Sequence, residues 1–192
     1  MTHTYIKQQV LESYVINSYV SVMTIKRTAN LLGAIALGLG DQMKAAAEQR
    51  LGQGGETPAA LTTIGHVPGL SVDMLRRILG LTHSGSVRLV DRLTSEGLVE
   101  RRNGQDGRTL ALYLTTQGAR LRRELIKDRT KPLEAVLSKL PGRDLQRFDD
   151  ILEKLLYQLC QDKIQAYSIC RLCDDAACED CPIERACDNA IR

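Results

Sequence analysis

Tryptophan is absent from the 192 residues, phenylalanine occurs once, and aromatic side chains make up only 4%. So few rings leave no platform on which the bases of a single-stranded nucleic acid could stack in succession. Long apolar runs are missing as well. The uncharged stretches Ser13–Ile25 and Thr28–Gly40 have thirteen residues each and are divided by Lys26-Arg27, short of the ~20 that a bilayer span requires. The opening residues MTHTYIKQQVLESY lack the basic-then-apolar order of a secretory leader, so a cytoplasmic protein with no membrane partner is expected. Nor is there a Gly-rich phosphate loop, a Gly-x-Ser-x-Gly or a His-Glu-x-x-His, and His66 and His83 stand apart from any nucleophile pattern. No enzyme is expected.

What is present is the balance of a globular chain, 43% hydrophobic and 26% charged. The net charge of +3 is unevenly placed: Cys170–Arg192 carries three Arg against six acids, which leaves +6 on residues 1–169. A basic body with an acidic tail is compatible with a polyanionic partner. Five of the six cysteines fall in the last 23 residues. In a reducing cytosol, such a cluster points to metal ligation or thiol redox chemistry before a disulfide scaffold.

Residues 5–50 contain no proline and read as a strongly apolar helix, with a break expected near Gly38-Leu39-Gly40. After the loop LGQGGE, Thr57-Pro58 reads as an N-cap and first helical position, opening a short helix to about Gly65. Ser71 caps a second helix, VDMLRRIL, which stops at Gly80, and Thr82 caps a third that stops at Gly97. Leu98–Arg102 and Arg108–Leu114 read as strands flanking the turn Asn103–Gly107. Two short helices joined by Gly80-Leu81-Thr82 and followed by a hairpin make a winged helix-turn-helix. From Thr116 to about Asp162 the chain is helical again, with Pro132 expected to kink or interrupt it and a turn at Pro141-Gly142. Leu145, Phe148, Leu152, Leu155 and Leu159 form a stripe that suits a second copy of the chain. The fold class is therefore mainly α with a small β-hairpin: a winged helix-turn-helix with N- and C-terminal dimerisation helices. Its divisions fall at 1–55, 56–115, 116–165 and a Cys-rich tail, 166–192.

The third helix is the candidate recognition helix. Val87, Leu89, Val90 and Leu93 are placed to pack inward, while Thr82, His83, Ser84 and Ser86 start the helix where it enters a major groove. Gly85 there lets the backbone approach a phosphate. Arg88 and Arg92 lie four apart on one side, suited to a guanine edge or a phosphate, with intrahelical pairing as the competing role for Arg92. Arg101, Arg102 and Arg108 surround the hairpin tip as a basic wing, and Asp106 is placed to brace Arg108.

The stretch LGLTHSGSVRLVDRLTSEGLVERR, followed by DGRTLALYLTTQG, resembles the MarR family of bacterial transcription regulators, and the likeness covers about residues 5–165. The resemblance implies a triangular homodimer whose two wings grip a pseudo-palindromic operator in double-stranded DNA. It further implies repression, relieved by a small phenolic effector, an oxidant or a metal. Family wings often read Asp-Arg-Arg. Gly107 here replaces the first Arg, which leaves Arg108 as the main wing-tip cation.

The tail, CRLCDDAACEDCPIERAC, carries two Cys-x2-Cys hooks, Cys170/Cys173 and Cys178/Cys181. Each hook presents two thiolates, and four such sulfurs hold zinc or an iron–sulfur cluster, with Cys187 as a substitute ligand. Metal-free thiols that switch by disulfide formation are the third option. Arg171 and Arg185 are placed to offset thiolate charge, and Cys160 reads as a small buried residue. Three functional readings stand side by side: a dimeric DNA-binding repressor modulated at these cysteines, a small-molecule-responsive repressor with a structural zinc tail, and a metal carrier or electron-transfer protein with a relic helix-turn-helix.

Overall fold

A computed structural model describes residues 2–52, 54–103, 110–178 and 180–190, with side chains from residue 24 to residue 187 within those ranges. Two compact units divide the chain, Met1–Gln42 and Met43–Arg192. Helix α1 (Thr2–Leu51) is continuous. The break expected near Gly38 does not occur: none of Gly33, Gly38 and Gly40 has a positive φ or a neighbour to crowd it, so they continue the helix. In the first unit Ile25, Leu32, Ile35 and Leu37 are all more than half exposed.

The second unit is built around the winged helix-turn-helix. Helix α2 (Thr57–His66) begins after Glu56, and Glu56, not Thr57, is its N-cap, without a side-chain bond. The hydroxyl of Thr57 is taken instead by Arg92, which donates to it at 2.8 Å. Helix α3 (Val72–Leu79) is capped by Ser71, whose side chain accepts from the Met74 amide at 3.1 Å. It ends on Gly80 in the left-handed conformation (φ 65°), where Leu81 N–H closes onto the Arg76 carbonyl at 3.0 Å. Helix α4 (His83–Ser95) starts on Thr82, which accepts from the Gly85 amide at 3.1 Å.

Strands β1 (Val99–Asn103) and β2 (Leu110–Leu114) pair antiparallel with Val99 opposite Leu114 and Arg102 opposite Ala111. The hairpin does not stand alone. Gly69 N–H donates to the Leu112 carbonyl (2.8 Å), Leu112 N–H donates to the Leu70 carbonyl (3.0 Å), and Ser71 forms an isolated bridge to Ala111, so the segment before α3 is stitched to β2. One core unites Leu61 and Ile64 of α2, Leu75 and Ile78 of α3, Val90 and Leu93 of α4, and Val99 and Leu112 of the hairpin.

Helix α5 (Thr116–Leu137) is continuous through Pro132, so of the kink or interruption expected there the interruption does not occur. Its first turn explains the motif LTTQG. Thr115 caps it, accepting from Gly118 N–H at 3.0 Å while donating to the Gly97 carbonyl at 2.6 Å. This brings α5 so close to the preceding turn that a Cβ on Gly118 would lie 2.0 Å from the Leu98 carbonyl oxygen. Arg50, at the end of α1, ion-pairs with Glu124 (2.8 Å) and Asp128 of α5. Helix α6 (Gly142–Leu159) has no buried residue. Helix α7 (Lys163–Cys170), a 3-10 turn at Asp175–Ala177 and helix α8 (Pro182–Ala190) follow. Ala166, Ile183 and Cys187 form a second, small core with Leu156 of α6. The tail therefore folds on apolar contacts of its own.

Candidate nucleic-acid interface and thiol cluster

Helix α4 buries Leu89, Val90 and Leu93, half-buries Val87, and exposes Thr82, His83, Ser84 and Arg88. Arg88 makes no ion pair or hydrogen bond among the described residues. Ser86 departs from expectation. It is wholly buried and its hydroxyl donates to the His83 carbonyl at 2.8 Å, because one turn of helix carries it onto the core face. Gly85 leaves room for the cap: a Cβ there would stand 3.0 Å from Thr82 Oγ1.

Arg92 is a brace. Its guanidinium reaches Thr57 across to α2 and lies 4.0 Å from Glu96, which ties the recognition helix to its support. Arg101 is similarly held by Asp91 of α4 at 2.6 Å, fixing the angle between helix and hairpin. Arg102 pairs with Glu100 and lies 4.6 Å over the Tyr113 ring. Neither wing arginine is a free cation in this arrangement, since each sits beside a carboxylate that the pleat or helix pitch puts within reach. Arg108 and Asp106 lie outside the described residues. Sequence reasoning passed over Arg77, exposed in the last turn of α3 while Arg76 beside it is paired to Asp73 at 2.9 Å.

The four cysteines of the two hooks come together. Cys170 hydrogen-bonds to Cys173 and Cys181, and Cys178 to Cys181. The hydrogen bond from Cys170, then the charges of Arg129 and Arg171, hold the Cys173 thiol down at about 6 despite its burial. Cys170 is pushed up by that same bond and by burial, and Cys178 by burial first and its thiol neighbours second. Among the described residues, no group of three or more His, Cys, Asp or Glu side chains is arranged to hold a metal ion. Cys187 is not part of the cluster. It faces the end of α6 from the inner side of α8 and is joined by a disulfide to Cys160, with 6.2 Å between the Cα atoms. The expectation of Cys160 as a plain core residue and Cys187 as a spare ligand is corrected accordingly. Arg185 pairs with Glu153 (3.1 Å) and Asp180 (3.0 Å).

Between the hooks, Asp175 reaches back to the reading domain. It accepts from Arg122 of α5 at 2.7 Å and lies 3.7 Å from His66 of α2. Arg122 reaches it because α2 has no side chain at Gly65, where a Cβ would lie 2.6 Å from the Arg122 stem. Burial lowers the pKa of His66, and the neighbouring carboxylate of Asp175 only partly restores it. Arg122, Arg129, Asp175 and Gly65 carried no motif in the sequence, because their partners lie tens of residues away.

The two helices, the left-handed glycine between them and the hairpin behind them define a winged helix-turn-helix regulator. The sequence model of the MarR family matches residues 56–109. The chain is 32% identical over 111 residues to the HTH-type transcriptional regulator PetP of Rhodobacter capsulatus, a match that spans 54% of this chain and 67% of that protein. Among solved structures it is similar to a MarR family protein from Bacillus stearothermophilus, with a TM-score of 0.62 and 26% identity over 69% of this chain and 92% of that one. It is also similar to the Mycobacterium tuberculosis MarR family protein RV2887, solved in complex with p-aminosalicylic acid, with a TM-score of 0.53 and 26% identity over 66% and 96% of the two chains. The chain belongs to the MarR family and is a transcriptional regulator, not an enzyme. Among the described residues, no helix is long and apolar enough to cross a membrane.

Proposed function

We propose that the protein binds a pseudo-palindromic operator in double-stranded DNA as a homodimer in the cytoplasm and represses transcription from it. The observation that carries this reading is the first turn of α4: Thr82, His83, Ser84 and an exposed Arg88 stand clear on a helix anchored from below by Leu89, Val90 and Leu93. Arg88 supplies the groove contact, and Arg77 lies one helix away as a phosphate contact. Arg92, Arg101 and Arg102 act as positioning residues that set the helix and hairpin angles. The apolar residues left exposed on α1 and α6, among them Ile35, Leu37, Ile151, Leu155 and Leu159, favour association with a second copy.

The test is binding of labelled fragments from the upstream region of its own gene at physiological salt. Arg88→Ala is expected to weaken binding roughly 5- to 150-fold, the effect of about 1–3 kcal/mol for a base-edge arginine. Arg77→Ala is expected to weaken all sequences alike and reduce the salt dependence. Wild-type failure to bind any such fragment, or an Arg88→Ala protein with unchanged affinity and salt slope, overturns the reading. The relative solved with p-aminosalicylic acid supports a second signal, a small aromatic acid, and release of DNA by such an acid in a protein lacking the hook cysteines would establish it.

A further inference from the structure

We propose that Cys160 and Cys187 form a reversible thiol–disulfide latch that closes the C-terminal tail. The two lie 27 residues apart in the chain with their Cα atoms 6.2 Å apart, inside the span that a disulfide bridges. Neither belongs to a Cys-x2-Cys hook. Cys160 ends α6, and Cys187 is 5% exposed on the inner side of α8, packed with Ile183. The reduced form is housed as well as the oxidised one. Both sulfurs lie 3.5 Å from the carbonyl oxygen of Asp162, so each thiol has an acceptor without leaving its place. Asp162 is itself fixed, because its side chain caps α7 by accepting from the Gln165 amide at 2.9 Å. A disulfide in the cytoplasm, the compartment proposed above, serves more often as a sensor than as a staple, and the choice between those two uses rests on that reading.

The latch acts on α8. Nine residues are too few for a helix to persist in water by itself. Its inner side offers only Ile183, Ala186 and Cys187 to its neighbours, and Arg185 adds an exposed ion pair with Glu153, a weak tie. Ile183 and Cys187 cover Ala166 of α7, the helix that also sends Tyr167 against the main core. Opening the link therefore loosens α8 first and then the tail that carries Asp175 to Arg122. The reductant is a thiol of the glutathione class, and Cys160, only partly covered, is the sulfur it reaches. Its thiolate attacks Cys160 Sγ, the bond to Cys187 breaks, and Cys187 leaves as a thiolate that takes up a proton. A second thiol attacks the mixed disulfide and frees Cys160. Two thiols become one disulfide, while the cysteine pair gains two electrons and two protons. Oxidised glutathione runs the same steps in reverse.

The experiment equilibrates the full chain, without oxygen, in mixtures of reduced and oxidised glutathione. Samples are quenched in acid, alkylated and mapped by mass spectrometry, and each mixture is also melted. A linked Cys160–Cys187 peptide is expected to appear as the oxidised share rises, and the linked protein should melt about 4–16 °C above the reduced one. Amide exchange in α7 and α8 should be faster in the reduced protein. Cys160→Ser and Cys187→Ser should lose the linked peptide and melt alike in all mixtures, whereas Cys178→Ser should behave as the wild type. If the first two variants fail to fold, the wild-type map, melting and exchange decide alone. The latch is overturned by the absence of that peptide at every ratio, by linkage among the hooks or between chains in its place, or by a link that persists in the most reducing mixture. Equal melting and equal exchange in the two states overturn it too. A redox-dependent link with its thermal shift, in a protein that binds no operator fragment, would refute the DNA-binding reading and leave the latch standing.

Discussion

Gly118 gives the sharpest test of how the reading domain is joined to α5. A Cβ placed on it would lie 2.0 Å from the Leu98 carbonyl oxygen and 2.9 Å from its carbon. Ordinary contact between such atoms needs roughly 3.5 Å, so Gly118→Ala must drive the start of α5 away by more than ~1 Å. That motion acts on the three bonds that fasten the junction: Gly118 N–H to Thr115 (3.0 Å), Thr115 hydroxyl to Gly97 (2.6 Å) and Thr115 N–H to Leu98 (3.1 Å). Overpacking costs about 1–3 kcal/mol and a weakened cap about 1 kcal/mol, against which alanine returns about 1 kcal/mol of helix propensity. The net is about 1–3 kcal/mol of destabilisation. For a chain of this length, each kcal/mol moves the melting temperature by roughly 2–4 °C, so a fall of about 4–8 °C is expected for the middle of that range. Gly142→Ala, on α6 with nothing within 4 Å, is the control and should melt at or slightly above the wild type. A Gly118→Ala protein as stable as wild type by circular dichroism melting would refute the argument.

Two further predictions concern other joints. Hydrogen bonds from Arg50 and Lys131 hold Asp128 at about 2 rather than 3.8, so its folded-state pKa lies below the unfolded one. Its contribution is therefore complete above about pH 4 and is lost as pH falls toward 2. Asp128→Asn should lower stability at pH 7 and flatten the acid limb of the melting curve in that window, whereas a parallel curve through it would contradict the assignment. Leu155→Glu, at a position 45% exposed on the uncovered face of α6, should convert a dimer to a monomer by light scattering without altering the helical signal. An unchanged mass would remove α6 from the interface.

Local chemistry was legible in the residues and distant chemistry was not. Ser71, Thr82 and Thr115 cap their helices as read, since a cap is decided within four residues, and Gly80 turns the chain as read for the same reason. Thr57 was misread because its hydroxyl answers to Arg92, thirty-five positions on. Ser86 looked like a groove contact until the pitch of α4 placed it on the core side. The two hooks were visible as spacing, but the Asp175–Arg122–His66 contact was not, for it joins three elements through a gap that only Gly65 leaves open. The exposed stripe of α6 was legible as a stripe, and the dimer proposed above is the reading that would cover it.

The bridge between β2 and the segment ahead of α3 has a mechanical consequence. Because Gly69 and Leu70 are stitched to Leu112 on both sides, and Arg101 is tied to Asp91, the hairpin cannot swing on its own hinge. Wing, turn and recognition helix travel as one stiff tool head. In the DNA-bound homodimer proposed above, a signal that loosens the grip would then act on the distance or tilt between two such heads. A substitution that frees the wing alone would blunt the tool without touching the control.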